Sequence, residues 1–433
     1  MNINQLAIKL SKVKEVAPLI YLKCFPEILD YSNKNFKFTI SIFLQDETLI
    51  DIDVEKENIL FVISLLRNSI LIPGITLVAW NIKNLFTFVK SFTNSDLSYE
   101  CQLIDLKIVE SYLDIKVESP NSYSEYTKRL KTVLKDEYWL KLKEIHRKIH
   151  IPLITEVMPI IESTGVFNSK TRKLLHPFYE IEGQANGRLL CHKAFDFCFN
   201  PHTLTFEDKQ VFYPRTPNSV FINFDFRHME VSVLQWLTED IKLKELLEES
   251  EDFYKLLYKL MSGQDCDEKK RDLCKNIFLP VVYGLQAKGL AEKIGISIET
   301  AEKIIKRLYS LFPQAFNWIE THQKLVDNSC RDLYGRRRIF EDRGYRARNF
   351  LVQSPAALIC LEKLVRLYNA IKGQGKLVCH IHDGYVVSAE KTNHKIVIAL
   401  ATSVLEEESE LFPELRLKVN YKVSENLGGL NAI

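Results

Sequence analysis

The chain has 433 residues, 46% apolar and 26% charged, with 58 Lys and Arg against 56 Asp and Glu, a formal net charge of +2. Such a composition describes a folded, soluble chain of two or three domains. The whole-chain field is too weak to attract a polyanion, so any such partner must be held by local clusters of Lys and Arg.

Residues 1–14 spread lysines among apolar side chains and lack the ordered basic, apolar and small-residue regions of an export signal. They predict an amphipathic helix and a cytoplasmic protein. A first strand is expected over 20–25, and the alternation in FKFTISIFLQDETLIDI (36–52) predicts two half-buried strands around a polar turn. Helical spacing follows at 58–67 and 85–92, which makes a modest α/β unit. The most apolar stretch, 58–80, is interrupted by Arg67, Asn68, Pro73 and Gly74, so no membrane span is expected. Nine cysteines without a C-x-x-C pair point to a reducing compartment and no structural zinc. The segment 123–150 reads as helical and basic, with eight Lys and Arg against four acids. A solvated face and a nucleic-acid contact both account for it.

From about 151 strands and helices alternate. VFINFDF (220–226) is an apolar strand whose one charge is Asp225, followed by a helix over 229–237. An Asp at a strand–helix junction is commonly a cap. In KKRDLCKNIFLPVVYG (269–284), Arg271 and Lys275 lie four apart and project from one helical face, with Tyr283 two turns on. Seven arginines cluster in 331–348, a side chain suited to phosphate. KLVCHIHDGYVVSAE (376–390) predicts a hairpin turning at Asp383-Gly384, preceded by His380 and His382. Two carboxylates on adjacent strand ends can hold a pair of divalent cations about 4 Å apart for phosphoryl transfer. Magnesium suits such a site, since it accepts few protein carboxylates.

Together these motifs resemble the family A DNA polymerases. Arg271-x3-Lys275-x7-Tyr283-Gly284 is similar to the family's nucleotide-binding finger helix, Asp225-Phe-Arg-His-Met-Glu230 to its first catalytic motif, and His382-Asp383 to its second. Residues 151–166 resemble the opening of the polymerase domain and Asn186-Gly187-Arg188-Leu189 its primer contact, while Asn349-x3-Gln353-Ser-Pro-Ala-Ala-Leu358 looks most like the phage branch. The resemblance implies an α/β and α+β multidomain fold. A degenerate, RNase H-like 3′–5′ exonuclease domain would cover 1–122 and a basic connector 123–150. The polymerase domain would follow at 151–433, with palm at 185–240 and 345–433 and fingers at 241–344. It further implies that Asp225 and Asp383 are catalytic and ligate two Mg²⁺ ions. Arg271 and Lys275 would bind the dNTP triphosphate, Tyr283 would stack near the new base pair, and Glu230 would exclude a ribose hydroxyl. Arg188, Asn349, Gln353 and His382 would touch primer and template.

The chain departs from this pattern in several places. Gly384 replaces a Glu of the second motif, Pro280 replaces a Gly and predicts a kink before Tyr283, and Leu279 takes the place of an aromatic facing the sugar. Only 21 residues separate Gly165 from Gly187, where the family inserts its thumb. A reduced or missing thumb implies low processivity unless a partner protein or the basic segment holds DNA. In the exonuclease-like part, Leu22-Lys23-Cys24 and Leu85 stand where metal-binding carboxylates belong, and no Tyr-x3-Asp lies between 112 and 142. The expected activity is template-directed DNA synthesis without proofreading, with phage or mobile-element origin. The alternatives are a primer-template-binding subunit of weak activity and a single-subunit RNA polymerase.

Overall fold

The computed structural model describes residues 19–25, 37–44, 49–73, 75–93, 97–114, 119–181, 183–193, 196–323, 328–340 and 345–430. The helix expected over 1–14, the turn at 45–48 and Arg343 lie outside them. The chain forms two compact units, one of residues 1–225, 361–404 and 421–433, the other of 226–360 and 405–420.

The first unit begins with β1 (Leu19–Phe25), β2 (Lys37–Phe43) and β3 (Leu49–Glu55). Strand alternation sets the register: Phe38, Ile40 and Ile42 oppose Val54, Ile52 and Ile50 on the buried face. On the open face Thr39 and Ser41 donate to Asp53 and Asp51 at 2.8 and 2.6 Å. After α1 (Ile59–Ser69), β4 (Thr76–Trp80) and, past α2 (Lys83–Thr93), β5 (Gln102–Asp105) complete a sheet ordered β3-β2-β1-β4-β5. β4 runs parallel to both β1 and β5.

Helices α3 (Leu106–Ser111), α4 (Tyr123–Leu134) and α5 (Trp139–Ile145) follow, then π-helical turns at His146–His150 and Leu153–Val157, and α6 (Met158–Thr164). The basic segment is thus two helices broken at 135–138. Arg129 belongs to the interior: it chelates Glu110 at 2.5 and 2.8 Å and lies 4.7 Å over the Trp80 ring. Lys128, Lys131, Lys135, Lys141, Lys143 and Arg147 remain exposed. At the start of α2, Lys83 reaches Glu162 of α6 at 2.7 Å, with both side chains buried. Lys83 also donates to the Tyr179 carbonyl, and the Tyr179 N–H donates back to Glu162 at 2.8 Å.

Short strands β6 (Val166–Asn168), β7 (Lys173–Leu175), β8 (Phe178–Glu180) and β9 (Leu190–His192) come next. Among the described residues between Gly165 and Gly187 there is no helix. A four-residue α7 (Phe206–Lys209) and β10 (Phe212–Pro214) lead to β11 (Ser219–Phe226).

The second unit is mainly helical: α8 (Met229–Thr238), α9 (Ile241–Glu249), α10 (Phe253–Ser262), α11 (Glu268–Val282), α12 (Ala287–Ile294), α13 (Ile298–Leu311) and α14 (Pro313–His322). Phe253, Phe278 and Phe312 meet edge to face at 5.1 and 5.4 Å between ring centres in its core. Buried Asp240 caps α9 through the Leu243 N–H and holds the Ala315 N–H of α14, so one carboxylate fixes two helices. Hairpin β12 (Ser329–Arg331) and β13 (Arg337–Ile339) precedes the 27-residue α15 (Tyr345–Ile371). Here the arginine cluster is largely structural. Arg336 is buried, Arg331 donates to the Gly335 carbonyl, Arg337 to Ser329, and Arg348 to Gln323. Buried Asp332 organises the turn by accepting the Tyr334 and Arg336 N–H groups and the Ser354 hydroxyl.

In the first unit again, β14 (Gly375–Ile381), β15 (Gly384–Glu390), α16 (His394–Glu406) and β16 (Val419–Ser424) follow, in a sheet ordered β14-β15-β11-β16. The hairpin turns one residue earlier than its sequence suggests. Ile381 pairs with Gly384, so the turn is His382-Asp383, with His382 at φ +54°. Gly384 is needed inside the strand: a Cβ there would lie 2.8 Å from the Phe224 carbonyl oxygen. Among the described residues, no helix is long and apolar enough to cross a membrane.

Candidate functional site

In the first unit, β11 is buried along its length except near its end, where Asp225 is exposed. The strand's apolar residues anchor it in the sheet and leave the carboxylate at the rim. Asp225 is not a helix cap; the residue at the N-cap position of α8 is His228, whose side chain makes no capping hydrogen bond. Across β15 its backbone partner is Gly384, which puts Asp383 one residue from direct opposition. Two carboxylates 158 positions apart in sequence thereby come to adjacent strand ends. The missing Cβ of Gly384 permits this approach, since it would also lie 3.2 Å from Asp225 Oδ1. Among the described residues no three His, Cys, Asp or Glu side chains group as a metal site. Asp225 and Asp383 are the two carboxylates that β11 and the β14–β15 turn bring to this rim.

His382 is exposed at the turn, and its ring lies 4.9 Å from that of His202. Burial, then the charges of His382, Arg188 and Lys209, pushes His202 down to about 4. His380 is buried beneath and pushed down to about 3 by burial first. The His380 backbone exchanges hydrogen bonds with the Tyr179 hydroxyl at 2.7 and 3.0 Å, which pins the hairpin stem. Arg188 is half-buried after Gly187, whose φ of +82° shapes the loop. Beside Asp225 and His382, a cavity of about 310 Å³ has an apolar floor including Leu204, Val386 and Leu427, with Lys209 at its wall.

In the second unit, Arg271, Lys275, Leu279 and Tyr283 recur every four residues and form one ridge along α11. The helix runs through Pro280 to Val282, so the proline does not end it, although the Asn276 carbonyl loses its helical donor there. Lys275 is exposed, Leu279 and Tyr283 half-buried. The Tyr283 hydroxyl donates to Glu230 Oε2, and Gln353 Nε2 donates to Glu230 Oε1 at 3.0 Å. Three expected site residues from three helices thus form one network that holds both oxygens of Glu230. Asn349, one turn before Gln353, has a buried Oδ1 with no hydrogen-bond partner among the described residues.

Sequence reading missed Asp252. Its Oδ2 takes the Arg271 Nε at 2.5 Å, while its Oδ1 caps α10. Burial alone would raise this carboxyl, but the Arg271 hydrogen bond, the Lys255 N–H and the Arg271 charge outweigh it and hold it below its ordinary value. Arg271 is oriented by this contact and stays partly exposed, with Nη1 3.4 Å from Asp272. The available signal was an Asp immediately before the apolar run FYKLLY, which reads as a cap and conceals the second role.

The exonuclease-like positions are filled by apolar packing. Leu22, Cys24 and Leu85 are buried, and burial pushes the Cys24 thiol up to about 12. Asp105 is occupied structurally, accepting the Asn81, Ile82 and Lys107 N–H groups.

A sequence model described as DNA polymerase family A matches residues 107–429. Similar curated proteins include a thermostable DNA polymerase I of Thermus filiformis, 29% identical over 214 residues (45% of this chain, 26% of the relative). Another is DNA polymerase I of Chloroflexus aurantiacus, 25% identical over 281 residues (60% and 29%). The chain spans between a quarter and a third of the length of these two relatives. Among solved structures, the POL domain of Pol1 from M. smegmatis, in complex with DNA primer-template and dNTP, aligns over 100% of both chains with a TM-score of 0.73 and 12% identity. That likeness shows a shared fold.

Proposed function

The chain belongs to DNA polymerase family A, and from that premise we propose that it is a DNA-directed DNA polymerase extending a primer 3′ end with dNTPs. The observation that carries this reading is the register of Asp225 against Gly384, which sets Asp225 and Asp383 at adjacent strand ends. Their hard, partly exposed oxygens suit Mg²⁺, which keeps water and phosphate oxygens among its ligands. Two bound ions would supply charge neutralisation at the attacking and leaving oxygens. The remaining roles fall to side chains that position and neutralise, as phosphoryl transfer asks. Arg271, oriented by Asp252, and Lys275 bind the triphosphate. Tyr283 supports the new base pair. Glu230, held at both oxygens, fills the space a ribose 2′-hydroxyl would need, and Leu279 on the same ridge as Tyr283 faces the sugar less specifically than an aromatic. Arg188, Asn349, Gln353 and His382 contact primer and template.

In this reading the N-terminal sheet is an exonuclease-like scaffold without proofreading, and the domains are those delimited at 122, 150 and the palm–fingers boundaries at 240 and 345. Synthesis is weakly processive unless the exposed lysines of α4 and α5 or a replisome partner retain DNA. The protein works inside a cell, in a reducing compartment. Primer extension decides: wild type incorporates dNTPs over rNTPs with Mg²⁺, while Asp225→Ala and Asp383→Ala lose extension by at least a thousandfold. Absence of extension by the wild type, or extension by both variants at the wild-type rate, would overturn the reading. Gly384, which removes a carboxylate from the second motif, favours a second reading, a primer-template-binding subunit. Duplex binding without any extension would support that one.

A further inference from the structure

A groove of about 940 Å³ lies in the first unit at the end of the β14-β15-β11 sheet marked by Gly375, Glu390 and Ser219. The carboxylates lie at the other end, and six residue steps along β15 put about 20 Å between the two. Its charged lining is Lys90, Arg215, Lys372 and Lys376 against Glu390. Lys376, Lys372 and Arg215 are exposed; Lys372 lies 4.0 Å from Glu156 and 5.4 Å from the Tyr368 ring centre, and Arg215 donates to the Ser163 carbonyl at 3.3 Å. Half-buried rings of Tyr368, Phe197 and His176 line the same groove, together with Ser163 and Ser388. None of these residues belongs to the catalytic or nucleotide-binding set.

We propose that this groove binds single-stranded DNA as a second site, separate from the catalytic rim. Cations spaced along a polar groove track a phosphodiester backbone, and aromatic faces let bases of any sequence stack. An acidic peptide would use the cations alone, whereas single-stranded DNA would also use the Tyr368 and Phe197 rings, which lie beside Lys372 and His176. Lys372 and Lys376 at the 372–376 turn, Arg215 just after β10 and Lys90 on α2 supply the charge. A second hold on DNA gives a polymerase with a short 165–187 segment a means of retaining substrate between additions.

The test uses the full chain and fluorescent (dT)12, in wild type and in Asp383→Ala, so that binding is scored whether or not the protein polymerises. The pair Lys372→Glu/Lys376→Glu is expected to weaken (dT)12 binding at least tenfold. Its log K against log salt slope should become shallower by about 1.4. Primer extension at saturating primer-template should stay unchanged. The milder Lys372→Gln/Lys376→Gln gives a smaller loss with the same thermal midpoint as wild type, which separates binding from folding. Photocrosslinked 5-iodouracil DNA should map to peptides containing Tyr368 or Phe197. Unaltered affinity in both double variants, crosslinks confined to other peptides, or displacement of (dT)12 by none of its length analogues but by a poly-glutamate peptide would each overturn the proposal.

Discussion

At the scale of single residues, the site depends on contacts that admit little substitution. Gly384 has no room for a Cβ because the Phe224 carbonyl would sit 2.8 Å away. Restoring the family's acid by Gly384→Glu should therefore reduce extension more than tenfold instead of improving it. Gly384→Ala alone should cost about 1–3 kcal/mol, the usual range for overpacking. Thermal melts and single-turnover extension check both; a faster Gly384→Glu enzyme would refute the steric account. Asp252 offers a different experiment, since it both caps α10 and orients Arg271. Asp252→Asn keeps an oxygen for the cap but removes the charge facing Arg271, so the KM for dNTP should rise severalfold with little change in thermal midpoint. Asp252→Ala should add a capping loss of about 1 kcal/mol. If both variants bind dNTP like wild type, Asp252 acts only on the helix.

At the scale of elements, periodicity made most strands and helices legible. β2 and β3 follow the alternation of apolar residues, and the four-residue recurrence from Arg271 to Tyr283 gives the ridge of α11. What local pattern could not reveal was pairing across the fold. Asp-Gly is a favoured turn, yet here close approach to β11 claims the glycine and moves the turn back to His382-Asp383. Arg336 reads as a phosphate ligand until the fold buries it beside Asp332. Arg129 likewise joins Glu110 from another helix. Half-buried histidines give this layer a pH dependence. Burial pushes His176 and His202 down to about 4, so below the ordinary value near 6.5 the unfolded chain takes up protons that the native one refuses. Stability should fall as pH drops from about 6.5 to 4, by at most about 1.4 kcal/mol per pH unit for each histidine, and by less for the more solvent-screened His202. Urea unfolding at pH 7 and 5 measures this, and His176→Gln should flatten the slope; an unchanged slope would assign the effect elsewhere.

At the scale of the molecule, only short strands lie among the described residues between Gly165 and Gly187, where the sequence resemblance looks for a thumb, and the proposed weak retention of DNA follows from that. With a DNA trap, single encounters should yield products extended by only a few nucleotides at moderate salt, and long products would contradict weak retention. The buried Lys83–Glu162 pair carries a second prediction. Lys83→Met leaves a buried carboxylate without its cation and should cost about 3–5 kcal/mol, whereas Lys83→Met/Glu162→Gln should recover part of that loss. Equal melting of wild type and Lys83→Met would remove the pair from the core. The same ion pair bears on how the chain can be cut for expression. Family similarity starts at residue 107, but Glu162 draws its cation from residue 83. A recombinant fragment trimmed to the matched boundary would expose the flank of α6 with an orphaned acid, and should accumulate as insoluble protein. The segment that matches the family and the segment that folds therefore have different N-terminal limits.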